Sequence, residues 1–171
     1  MDAFTQSSYK MIGLPGNIDI PMSQLLSGAN KTDWKAFYDN GAAENYLVSY
    51  DGSTTFNFKP GKGFWILSKN NINISKDYGP VALSVDNTYS ITLQNGWNII
   101  SNPFEKNVSW NLIKTINSVT QPIYFFNQGY TQPVSFEPYK GYYFFNQGNL
   151  PSLKIPYNPG GVVNQQFKLG K

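Results

Sequence analysis

The sequence predicts an all-β protein made of two similar β-rich lobes, arranged as a sandwich or a partly closed barrel with short helices at its open ends. Composition points that way. Hydrophobic residues are 40% and aromatic residues 16% of the 171-residue chain, against 13% charged; Tyr, Phe, Trp, Thr, Val and Ile fit a pleated, half-buried surface, and the good helix formers are scarce. Self-similarity points the same way, because the sequence matches itself in an unbroken order of blocks from end to end. So do two Lys-Gly-aromatic strands that are apolar on both faces and therefore have to be covered on both.

The elements follow in order. Tyr9-Lys10-Met11-Ile12-Gly13-Leu14-Pro15 reads as an aromatic-led apolar strand stopped by proline, and Trp97-Asn98-Ile99-Ile100-Ser101-Asn102-Pro103 answers it. Ser23-Gln24-Leu25-Leu26 pairs with Ser109-Trp110-Asn111-Leu112, where a serine can cap one or two helical turns. Phe37-Tyr38-Asp39-Asn40-Gly41 pairs with Phe125-Phe126-Asn127-Gln128-Gly129, a strand entering a tight glycine turn. Phe58-Lys59-Pro60-Gly61-Lys62-Gly63-Phe64-Trp65 pairs with Phe136-Glu137-Pro138-Tyr139-Lys140-Gly141-Tyr142-Tyr143, and the closing strands Ile72-Asn73-Ile74 and Leu153-Lys154-Ile155 also correspond. The second copy lacks about ten residues where the first has 42–56, a shortened hairpin. The repeats are placed at 1–80 and 81–171 within one compact module, joined through 76–86 and trailed by a Gly/Pro-rich segment at 156–161.

Strand alternation gives the Lys-Gly-aromatic blocks a physical consequence. Phe64 and Ile66 face one side of the sheet and Trp65 and Leu67 the other; Tyr142 and Phe144 oppose Tyr143 and Phe145 in the same way. Either the sister repeat buries the second face or that face is an exposed aromatic surface, and core and interface packing is the preferred reading. The residues that would form a sugar-stacking platform in the other case are Trp65, Tyr143, Trp34, Tyr38, Tyr124 and Trp97. Gly63 and Gly141 are expected to mark a bulge or a close backbone approach, not a phosphate loop, and neither Gly61-Lys62-Gly63 nor Gly160-Gly161 precedes a helix of useful length, so a nucleotide site is not expected.

Several functions are excluded by what the chain lacks. It has no Cys, His or Arg. Ser-His-Asp and Cys-His nucleophile systems therefore cannot be built, nor can the usual zinc, copper, haem or iron–sulfur sites. All 13 basic residues are Lys, spread without a run under a net charge of +3, so a nucleic-acid interface is not expected. A glycosidase can work with carboxylates alone, but the only glutamates are Glu44, Glu105 and Glu137, and no acidic pair has a reason for a raised pKa. The chain is read as non-enzymatic, with no cofactor and no metal. Asp39-Asn40-Gly41 and Asp51-Gly52-Ser53 offer calcium-type oxygens but read first as hairpin turns. The abundant Asn, with sequons at Asn30, Asn73 and Asn107, is attributed to composition bias. No apolar run approaches the roughly 18 residues of a membrane span, and residues 1–10 lack the apolar stretch of a signal peptide.

Gly96-Trp97-Asn98-Ile99-Ile100-Ser101-Asn102-Pro103, followed by Lys140-Gly141-Tyr142-Tyr143, resembles the "GWNLIS-P … KGYW" repeat of secreted and cell-surface proteins of bacteria and some archaea. The first copy departs at the front, with Tyr9-Lys10-Met11, but keeps Lys62-Gly63-Phe64-Trp65. The resemblance implies an extracellular or cell-surface β module of a larger protein and supplies no catalytic residues. Two functions follow as expectations. One is a structural or assembly module whose partners are neighbouring domains or subunits; the other is a carbohydrate-binding accessory module whose exposed Trp and Tyr stack on polysaccharide.

Overall fold

The computed structural model describes residues 9–72 and 78–157. Asn73 and Ile74 of the first closing strand, and residues 158–161 of the trailing segment, lie outside them. The fold is all-β, with antiparallel sheets and, among the described residues, one short α-helix and no closed barrel. Each half builds a four-stranded sheet from the same kinds of strand in the same order. In the first, β1 (Tyr9–Gly13), β3 (Trp34–Asp39), β4 (Leu47–Ser49) and β6 (Gly63–Ser68) are ordered β1-β6-β3-β4. In the second, β8 (Gly96–Ser101), β10 (Ile123–Phe126), β11 (Tyr130–Thr131) and β13 (Gly141–Asn146) are ordered β8-β13-β10-β11. Each sheet has a two-stranded satellite, β2 (Ile20–Pro21) with β5 (Asn57–Phe58) and β9 (Val108–Ser109) with β12 (Ser135–Phe136). A further ribbon, β7 (Thr88–Thr92) with β14 (Ser152–Pro156), belongs to the second half.

The two-sided apolar strands lie inside their sheets, and both of their faces are covered except at Phe145, which is 37% exposed. Phe64 and Ile66 enter a core with Met22, Trp34, Phe56 and Phe58, while Tyr142 and Phe144 enter the equivalent core with Trp110, Ile113 and Phe136. From the opposite faces, Trp65 and Tyr143 meet Met11 and Ile99 in a third cluster between the sheets. The sister copy buries the second face, as neither lobe has enough apolar cover of its own.

The contacts across the seam come in matched pairs. Ile12 bridges Lys140 and Lys62 bridges Ile100; the Gly13 amide donates to the Tyr139 carbonyl and the Ser101 amide to the Gly61 carbonyl. Exchanging the copies converts each contact into the other, which is a pseudo-twofold axis. The backbones are closest near that axis. A Cβ on Gly63 would stand 2.5 Å from Ile99 Cγ2 and 3.3 Å from the Gly141 Cα, and one on Gly13 would stand 2.1 Å from Ser101 Cβ. Gly63 and Gly141 are thus sites of close backbone approach.

Register corrects two of the block matches. Phe37 lies opposite Trp65 and Tyr124 opposite Tyr143, so Phe37 corresponds to Tyr124, Tyr38 to Phe125 and Asp39 to Phe126. Matching on the glycine turns displaces the strand by one residue because the two hairpins turn differently. Ile20 pairs with Phe58 and Val108 with Phe136, so Ser109 corresponds to Pro21 and not to Ser23. Ser109 caps α1 (Trp110–Asn117), its side chain accepting from the Leu112 amide at 3.5 Å. Pro21 has no side-chain acceptor, and the first copy makes only a 3₁₀ turn at Met22–Gln24, with Ser23 inside it.

Some of the abundant asparagines have structural work. Buried Asn98, Asn102 and Asn146 each bond backbone groups of neighbouring loops, satisfying polar atoms that burial would otherwise strand.

Candidate functional site

On one side the seam opens into a cleft of about 790 Å³. Strand alternation builds it. Tyr143 and Phe145 are two apart on β13, Trp97 pairs opposite Phe145 on β8, and Tyr124 pairs opposite Tyr143 on β10. These rings therefore share the face that turns toward the first lobe. Tyr130 of β11 completes the second lobe's wall, and the β3–β4 hairpin brings Asp39, Gly41 and Tyr46 from the first. Trp97 is 39% exposed and Tyr130 57%, whereas Tyr143 at the bottom is 8% exposed.

The rings meet at steep angles. Trp97 lies 5.8 Å from Tyr124 at 65°, 5.7 Å from Tyr143 at 80° and 5.0 Å from Phe145 at 57°. Tyr130 lies 6.3 Å from Tyr143 at 56° and 5.2 Å from Phe126 at 63°. Edge-to-face and tilted packing of this kind is the favoured geometry for aromatic pairs. It gives the cleft walls that face different ways instead of one flat platform.

The polar chemistry converges on Asp39, which is only 7% exposed. Its Oδ1 accepts from the Gly41 amide at 2.8 Å, closing an Asx turn at the hairpin tip. Its carboxylate also lies under the electrostatic influence of the Tyr143 hydroxyl, which accepts from Trp65 Nε1 at 3.0 Å. Gln94 Nε2 donates to the backbone carbonyls of Asp39 at 2.7 Å and Trp97 at 2.8 Å, tying the hairpin to the second lobe. Burial pushes the Asp39 carboxyl up from its ordinary value, against the bond from Gly41 and the influence of Tyr143. Burial likewise pushes the Tyr143 hydroxyl up, and burial first, then the neighbouring Tyr46 and Asp39 side chains, raises Tyr130. Asp39 thus projects negative potential into the aromatic cleft.

A second cleft, of about 680 Å³, shares Asp39 and is lined by the loop at 59–63 together with β7 and β8. Its charged groups have nearby partners: Lys59 lies 4.0 Å from Asp19, which accepts from Asn57 at 2.8 Å, and Lys62 donates to the Thr55 carbonyl at 3.0 Å. Asp51 closes another Asx turn, accepting from the Ser53 amide at 2.8 Å, and among the described residues no three acidic side chains gather as a metal site.

Of the residues predicted for a platform, Trp97, Tyr124 and Tyr143 come together in the aromatic cleft. Trp65 adjoins them but is sealed in the seam at 7% exposure. Trp34 is 1% exposed in the first lobe's core, and Tyr38 packs on that core, so these two lie away from the cleft. Phe145, Tyr130, Tyr46 and Asp39 complete the site and were not among the predicted residues. Phe145 carries a readable signal, since it shares Tyr143's face by alternation; Asp39 reads locally only as a turn residue. No family model, no curated protein and no solved structure matches this chain.

Proposed function

We propose that the chain is a non-catalytic β module of a larger extracellular or cell-surface protein and acts by contact through the aromatic cleft. The observation that carries this reading is the unequal treatment of the tryptophans: Trp34, Trp65 and Trp110 are buried at 1%, 7% and 2% exposure, while Trp97 keeps 39% at the mouth of a cleft. Large rings left at the edge of a concave surface are the usual anchors of recognition. The absence of His, Cys and Arg from the sequence supports contact over chemistry, and the resemblance to the surface repeat supports the location.

Trp97→Ala tests it. The variant should keep its stability within about 1 kcal/mol in urea unfolding, as surface substitutions do, and Trp97 should carry most of the acrylamide quenching of the wild type. A loss of several kcal/mol, as for a buried aromatic, would make the cleft packing and not a contact site. The exposure of Trp97 and Tyr130 also favours a second reading, polysaccharide binding. Affinity electrophoresis on a glycan panel supports that reading if the wild type is retarded and Trp97→Ala is not.

A further inference from the structure

We propose that the aromatic cleft receives a quaternary ammonium headgroup. This rests on the reading of the cleft as a contact site and names the chemistry it takes. Trp97, Tyr124, Tyr130, Tyr143 and Phe145 line it together with Asp39, and no Lys or amide side chain is among the described residues that do so. The ring planes cross at 56° to 80° in the pairs Trp97–Tyr143, Trp97–Tyr124, Trp97–Phe145 and Tyr130–Tyr143. A pyranose ring wants a flat aromatic face with amide side chains around its hydroxyls, whereas here the rings cross steeply and no amide side chain is among the described lining residues. A trimethylammonium group wants several aromatic rings around a sphere, no hydrogen-bond partners, and a negative charge nearby.

Asp39 supplies that charge. It is 7% exposed, held in place by the Gly41 amide, and has no cationic side chain beside it in the cleft wall. A primary ammonium would need several acceptors to replace its water. Here one oxygen of the Asp39 carboxylate already accepts from the Gly41 amide and the side chain is 7% exposed, which favours a methylated cation over a lysine side chain.

The test is a fluorescence titration of the intact chain, read at Trp97, with choline chloride, with 3,3-dimethylbutan-1-ol as its uncharged isostere, and with a lysine-containing peptide. Choline should give a saturable change with an affinity at least about tenfold above that of the isostere, the scale of a desolvated cation–π contact. Lysine peptide should bind more weakly than choline. Asp39→Asn, which keeps an acceptor for the Gly41 amide, should lower choline affinity about tenfold. Tyr130→Leu, at a residue exposed enough to spare the fold, should lower it severalfold and leave the isostere unaffected. Equal affinity for the isostere, or tighter binding of lysine peptide, would overturn the quaternary ammonium assignment while leaving the contact site in place. No response to choline with Trp97 open to acrylamide would overturn the assignment alone; no response with Trp97 also shielded would overturn both.

Discussion

The two lobes solve one backbone problem differently at the loop before the aromatic strand. Gly61 and Tyr139 occupy equivalent positions, and both have left-handed backbone, φ 83° and 68°. Glycine adopts that conformation freely, while a tyrosine there costs about 1–2 kcal/mol. Tyr139 offsets the strain by packing its ring on the first lobe's core. A side chain at Gly61 has no such room, since its Cβ would meet Ile91 Cγ1 at 2.7 Å. In both places the bulky side chain at the seam belongs to the second lobe. The same division holds at the helix, a capped α-helix in the second lobe and one 3₁₀ turn in the first, and at the hairpin, where Phe126 packs on Trp65 at 5.2 Å while its counterpart Asp39 brings a carboxylate into the cleft that Tyr143 lines. Duplication preserved the backbone plan, and divergence gave the second lobe the aromatic wall and the first lobe the charge.

The comparison can be strained at several points. The largest effect is expected at the equivalent pair Trp65 and Tyr143. Replacing either with Ala should cost about 3–5 kcal/mol in urea unfolding, the usual result of deleting a buried aromatic. Near-neutrality at one of them would mean that the seam does not hold that ring. Next comes the close backbone approach: Gly63→Ala should cost about 1–3 kcal/mol as overpacking. Gly141→Ala should cost less, because its nearest contact would be 3.1 Å instead of 2.5 Å. Equal costs would show that the two positions are more symmetric than the distances indicate.

The smallest effect separates two aspartates by pH. Asp86 is held down to about 2, from the usual 3.8, first by its bond from Lys154 Nζ at 2.8 Å and then by Thr88. Its folded value lies below its unfolded one, so its contribution is present above about 4 and is lost as the pH falls through about 2. Asp39 is shifted the other way. The folded state takes up its proton more readily than the unfolded chain, so its charged form opposes folding at neutral pH and that opposition is relieved on acidification. Urea midpoints from neutral pH down to about 2 should therefore show a shallower acid loss for Asp86→Asn, and unchanged or slightly raised neutral stability for Asp39→Asn. A neutral-pH loss in Asp39→Asn would mean that its hydrogen bonds outweigh the cost of burying its charge.

Much of this plan was legible in the sequence. The ordered blocks anticipate the matching strand orders, and two-sided apolarity of Phe64-Trp65-Ile66-Leu67 requires a second layer over Trp65. What could not be read was register. Gly41 with Gly129, and Ser23 with Ser109, are tempting anchors, but strand pairing fixes position, to Trp65 and Tyr143 in the first case and to Phe58 and Phe136 in the second, and turn length floats against it. The cleft was half legible for the same reason. Trp97, Tyr124 and Tyr143 announce themselves as large rings, whereas Trp34 looks the same in sequence and lies in a core. Asp39 becomes a site residue only because the hairpin folds against Gln94, a contact of 55 residues' separation that no local pattern encodes.

The pseudo-twofold seam is tested most directly by exchanging its closest pair. Gly13→Ser places a Cβ 2.1 Å from that of Ser101 and should cost several kcal/mol, at or beyond the roughly 1–3 kcal/mol typical of overpacking. Adding Ser101→Gly moves the side chain to the equivalent place across the axis, where its hydroxyl can donate to the Lys140 carbonyl as Ser101 now donates to that of Lys62 at 2.8 Å. Equilibrium urea unfolding of wild type, both single variants and the double variant should show the double variant recovering part of the loss, because the new Cβ still stands 2.8 Å from the Lys62 carbonyl oxygen, with a coupling well above the roughly 0.5 kcal/mol of independent sites. Additive losses in the double variant would contradict the pseudo-twofold seam.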